Sequence, residues 1–63
     1  MIYKIVSKPH STSFWLEVGD VETDVNGTAI KVISIIKIVG NIGTIEGVTA
    51  YVTGVDLSEI KEG

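Results

Sequence analysis

The stretch Lys8-Pro9-His10-Ser11-Thr12-Ser13 gathers a cation, an imidazole and several hydroxyls, and Trp15 follows closely. Together these residues supply charge, hydrogen-bonding groups and an aromatic wall, the chemistry of a small-ligand site. Loops held on a rigid scaffold commonly carry such residues. Lys8, His10, Ser11 and Trp15 are therefore the candidate ligand-binding residues, with Trp15 read as an interaction anchor. Catalysis by His10 would need a nucleophile and an orienting carboxylate in fixed geometry. Ser11 and Ser13 are merely its sequence neighbours, so no catalytic residue is assigned and the chain is read as a non-enzyme. The plainer reading is an exposed polar loop.

A second constellation is Asp20, Glu22 and Asp24, which alternate along a strand-like stretch and so project from one face. Three carboxylates on one face suit a calcium ion or a mimic of a phosphate row. The spacing departs from an EF-hand loop, with its glycine misplaced and its distant glutamate missing. A net charge of −3 is thin for phosphate mimicry. A solvated strand face partly paired with Lys31 accounts for the pattern. Cysteine is absent, which excludes thiolate zinc and disulfides, and a lone His10 gives no nitrogen-rich site. No metal and no cofactor are expected.

Composition narrows the partners. All five basic residues are lysine. Without arginine the chain lacks the side chain that best grips phosphate and guanine, so no nucleic acid is expected. The apolar runs are too short to span a membrane and no signal pattern opens the chain, which leads to a cytoplasmic protein with no membrane partner. Asn26-Gly27-Thr28 matches a glycosylation acceptor but reads as a turn.

The elements that must position these residues are strands. Ile, Val and Thr supply 25 residues against two Leu and two Ala. Thr28–Val39 is the most apolar run, with seven of twelve residues Ile or Val. Met1–Val6 reads as a first strand with Met1, Tyr3 and Ile5 inward, and Ser7–Ser13 as a loop. Phe14–Val18 alternates, with Phe14, Leu16 and Val18 on one face. Gly19-Asp20 and Asn26-Gly27 fit two-residue hairpin turns. The second of these sets Glu22 opposite Lys31, and a loop over residues 40–43 sets Lys37 opposite Glu46, two charge pairs on one face. Asp56, three residues ahead of Glu59, signals a helical turn in the tail Val55–Gly63. The expected fold is all-β: one domain over residues 1–63, a five-stranded antiparallel meander curled into an SH3-like or open barrel, closed by a short C-terminal helical turn.

In this register the inner face holds Phe14, Leu16, Val18, Val21, Val25, Ile30, Val32, Ile36, Ile38, Ile45 and Tyr51. The odd positions Ile33 and Ile35 fall outside, joined by Val48, Ala50 and Val52. A bulge near Ser34 would flip the phase but turn Lys37 inward, so none is expected. An apolar outer patch framed by charges resembles a protein interface. A chain of 63 residues without disulfide or metal has little core and gains from association. Ile33, Ile35, Val48, Ala50 and Val52 are therefore the expected interface of a homo-oligomer.

Gly27–Ile42 (GTAIKVISIIKIVGNI), with Glu17-Val18-Gly19-Asp20 upstream, resembles the segment of biotinyl and lipoyl carrier domains that holds the modified lysine. That resemblance implies attachment at Lys37. The Gly-to-Gly spacing is two residues too long, and Ile36-Lys37-Ile38 replaces the Met-Lys-Met or Asp-Lys-Ala turn. The carbon storage regulator family is similar in length and in its Val-Gly-Asp hairpin, but its RNA contacts use arginine.

The leading expectation is a small non-enzymatic β module that self-associates and acts by binding a protein partner or small ligand. A domain that begins at Met1 with nothing attached suits a free-standing accessory protein, of the kind phages encode. A carrier domain modified at Lys37 is the alternative.

Overall fold

A computed structural model describes residues 1–59. Among them are four strands, β1 (Ile2–Val6), β2 (Val21–Thr23), β3 (Ala29–Gly40) and β4 (Val48–Asp56), followed by a 3₁₀ turn at Leu57–Glu59. They form one antiparallel sheet in the order β1-β4-β3-β2, curled into a half-barrel. The expected helical turn is present: the Asp56 carboxylate accepts the Ser58 amide at 2.8 Å, satisfying one of the free donors at its start. The rest of that tail, residues 60–63, lies outside the described residues.

Phe14–Val18, expected as a fifth strand, pairs with no neighbour. The chain instead crosses the concave side, where Phe14 and Leu16 pack on Ile5, Val32, Ala50 and Val52. It then turns at Glu17–Asp20, where the Asp20 amide donates to the Glu17 carbonyl at 3.1 Å and the Asp20 carboxylate accepts the Glu17 amide at 3.1 Å. The alternation of this segment was legible; its pairing was not.

The β2–β3 register differs from the expected one by a single residue. Val21 faces Lys31, Glu22 faces Ile30 and Thr23 faces Ala29, so the Glu22–Lys31 pair does not form. The cause lies in the turn. Asp24 leaves the strand and its Oδ1 accepts the amides of Asn26 and Thr28, each at 2.9 Å, while the Gly27 amide donates to the Asp24 carbonyl at 3.0 Å. Gly27, at φ 84°, takes the left-handed position that closes such a three-residue loop. Asn-Gly therefore occupies the last two places of a turn begun at Asp24. One residue of slip reverses a strand's facing, and Val21 and Val25 are exposed rather than inward.

The β3–β4 ladder carries two irregularities, between Val32 and Ser34 and between Ile35 and Lys37. A single bulge would have turned Lys37 into the core; the second cancels the first. Ile30 and Val32 face inward, Ile35 follows after the Ile33 bulge, and Ile38 comes opposite Ala50 after the Ile36 bulge but remains exposed. Lys37 stays outside, opposite Tyr51 rather than Glu46, and Tyr51 is on the convex side instead of the core. Val48, Ala50 and Val52 are accordingly inward, with Ala50 and Val52 at 0% exposure. This corrects their expected outward placement, and Ile35 packs against the same core. Met1, Val18, Ile36, Ile38 and Ile45, expected inside, are exposed.

Gly54 lies opposite Val32 and lets the strands close over Ile30. A Cβ there would sit 2.5 Å from Ile30 Cγ2 and 2.5 Å from the Lys31 carbonyl oxygen. Because one of those atoms is backbone, Gly54→Ala is expected to cost about 1–3 kcal/mol, the usual range for overpacking. Urea denaturation measures it.

Candidate binding sites

The Lys8–Ser13 loop is fastened to the loop that joins β3 and β4. The His10 amide donates to the Thr44 carbonyl and the Gly43 amide to the Ser11 carbonyl, both at 2.8 Å. The His10 ring reinforces the clasp, with Nδ1 3.3 Å from the Gly43 carbonyl oxygen, where an Nδ1–H donates. At its root, Ser7 is bound through both its amide and its hydroxyl to Val48. Ser11 Oγ donates to the Ser13 carbonyl at 2.6 Å, so its proton is engaged there. Among the described residues no three His, Cys, Asp or Glu side chains cluster as metal ligands would.

Of the four residues expected to bind a ligand, Lys8, Ser11 and Trp15 line one depression of about 370 Å³. His10 is outside it, engaged in the clasp. Sequence reasoning missed the opposite wall, formed by Val21, Glu22 and Thr23, and the flank formed by Ile5 and Val6. The one-residue slip of β2 brings Glu22 here, where strict two-residue turn geometry would have turned it to the convex side. Trp15, at 75% exposure, stands over this depression while its neighbours Phe14 and Leu16 reach into the core. An exposed indole beside half-buried polar groups offers apolar area at low entropic cost, as recognition sites use it.

The convex face of the sheet is the second candidate. Lys4, Tyr51 and Lys37 lie in one row across β1, β4 and β3. The ammonium of Lys37 is 5.0 Å and that of Lys4 5.7 Å from the centroid of the Tyr51 ring, within cation–π range. Both bulges extrude isoleucines beside this row, leaving Ile33 56% and Ile36 50% exposed. Ser34 and Thr53 bridge neighbouring strands through their hydroxyls, 2.6 Å apart. Of the expected interface residues, Ile33 alone is exposed.

At the opposite end of the sheet, Tyr3 shares a depression with Asp24 and Asp56. Partial burial first, then the carboxylates of Asp56, Glu59 and Asp24, raise its phenol above the usual 10.0. A folded pKa above the unfolded one means that the neutral phenol contributes stability below the ordinary tyrosine range, and that this is lost as pH rises through the folded value. Ultraviolet titration of the native chain is expected to show Tyr3 ionising later than free tyrosine.

The geometry defines a four-stranded antiparallel half-barrel with one indole-flanked depression and one apolar, cationic convex face. Comparisons with protein families, with curated proteins and with solved structures find no match. Among the described residues no helix is long and apolar enough to cross a membrane.

Proposed function

We propose that the protein is a non-enzymatic β module that self-associates and acts by binding a protein partner or small ligand. The convex face carries this reading. Ile33 and Ile36 are pushed outward by consecutive bulges on the longest strand, more than half and half exposed, beside a tyrosine capped by two lysines. Bulges are designed features that re-aim side chains, and a strand that spends two of them to expose isoleucine presents an association surface. The depression under Trp15 is the second surface, for a partner or ligand. The separate engagement of His10 and Ser11 supports binding over catalysis.

Modification at Lys37 is the competing reading. Lys37 sits within β3 and its ammonium lies against Tyr51, whereas a carrier lysine is offered on a turn. The convex face therefore favours binding. Native mass spectrometry of the protein from its own host tests both at once. The binding reading expects multiples of the unmodified 6.7 kDa chain, with or without a retained ligand. A monomer with a biotinyl or lipoyl mass on Lys37 would overturn it.

A further inference from the structure

The charges of this chain are sorted by face. Only two residues of the four strands are acidic, Glu22 and Asp56. Both lie opposite Ile30, which is fully buried, so both face inward. Lys31 alternates with the buried Ile30 and Val32 and faces outward, as Lys4 and Lys37 do beside Tyr51. In a chain of net charge −3, the strands thus offer their convex side three ammonium groups and no carboxylate. The acids gather instead at one end of the sheet, where β1 begins and β4 finishes. Partial burial first, then Asp56, Glu59 and Asp24, raise the Tyr3 phenol there. A depression of about 510 Å³ opens at this end, lined by Tyr3, Asp24 and Asp56 and by the exposed Met1 and Val25.

We infer that these two surfaces meet between copies: the convex face of one chain docks head to tail on the acidic end of the next. This rests on the reading of the convex face as the self-association surface and names what that face meets.

Curvature and charge select this occupant. The sheet is curled into a half-barrel, so two convex faces would touch over a small area. They would also set lysine against lysine, and like charges across an interface are costly. The acidic end supplies the opposite charge and a hollow instead of a bulge. Its exposed Met1 and Val25 offer apolar contact to Ile33 and Ile36, which the two bulges push outward. Asp24 and Asp56 accept the hydrogen bonds of their own turns through Oδ1. Oδ2 of each is the oxygen that an incoming ammonium meets. Because face and end are different surfaces, every copy presents one of each, and the contact propagates as an open chain or closes as a ring.

Complementation between two variants tests this. Ile36→Glu spoils the face and keeps the end. Val25→Lys puts a cation into the acidic end and keeps the face, at a side chain 55% exposed whose backbone bond to Lys4 is retained. Each variant alone is expected to sediment as the 6.7 kDa chain, and an equimolar mixture as a species of twice that mass that grows no further. Carbodiimide coupling of the wild type, half of it labelled with nitrogen-15, is independent of either variant's folding. It should join Lys4, Lys31 or Lys37 of one isotope to Asp24, Asp56 or Glu59 of the other. A Val25→Lys variant that assembles like wild type while Ile36→Glu does not would overturn the head-to-tail contact and leave the convex face as the association surface. A mixture that stays monomeric, or carbodiimide links confined to single chains, would overturn the head-to-tail contact as well. A monomeric wild type would overturn both readings, and one that sedimented with phosphatidylserine vesicles would assign the lysine face to a membrane instead.

Discussion

Ile35→Glu is expected to destabilise the chain strongly, whereas Ile36→Glu is expected to leave monomer stability nearly unchanged. The two positions are adjacent, and in a regular strand they would simply face opposite sides. Here the Ile33 bulge has brought Ile35 to the core side, opposite Val52 and packed on the cluster of Ile5, Val32, Ala50 and Val52. A carboxylate there loses apolar burial and brings a charge among the apolar side chains of Ile5, Val32, Ala50 and Val52. A loss of about 2–4 kcal/mol is expected, against a total stability of about 5–15 for a small domain. Ile36 is extruded by the next bulge and half exposed. Its change to glutamate should shift monomer stability by no more than about 0.5 kcal/mol. Denaturant melts at concentrations low enough to keep both variants monomeric make the comparison. Equal melts would mean that the paired bulges are absent.

Asp24→Ala is the second change with a large expected effect. Asp24 is only 8% exposed, and its Oδ1 holds the amides of Asn26 and Thr28 at 2.9 Å. Removing the acceptor leaves two amides of a tight turn without their charged partner, and a hydrogen bond to a charged group contributes about 1.5–3 kcal/mol. The loss should have a structural signature besides. Asp24 fixes the three-residue loop and with it the slip that sets Val21, not Glu22, opposite Lys31. Without it, cross-strand contacts of Val21 with Lys31 should weaken or change partner in NMR spectra. Asp24→Asn keeps an acceptor oxygen and is expected to retain the register with a smaller loss.

Both effects show where the sequence was legible and where it was not. Ile5 and Tyr3 announced the core side of β1 because Lys4 lies between them in a plain alternation. Phe14 and Leu16 announced theirs around Trp15 in the same way. The Asp56–Glu59 spacing announced the terminal turn. In β3, isoleucine and valine occupy odd and even positions alike, so the hydrophobic pattern carries no phase and two compensating bulges leave no trace in it. Lys31 precedes both bulges, and Lys37, the phase marker beyond them, stays outside whether there are no bulges or two. Asn26-Gly27 fits either of two turn types, and only the placement of the Asp24 carboxylate decides between them. The Trp15 depression was half legible: Lys8, Ser11 and Trp15 are close in sequence, but their far wall depends on the β2 register. His10 was legible as a polar residue and not as a clasp, since its partners Gly43 and Thr44 are distant in the chain.

Self-association through the convex face is the central claim, and sedimentation equilibrium on wild type and Ile36→Glu tests it most directly. Ile45→Glu serves as a control on an exposed loop residue away from the sheet. The predicted result is an assembled wild type, an Ile45→Glu variant of the same mass, and an Ile36→Glu variant that sediments as the 6.7 kDa chain. A wild type that remains monomeric at high concentration, or an Ile36→Glu variant that assembles like wild type, would contradict it.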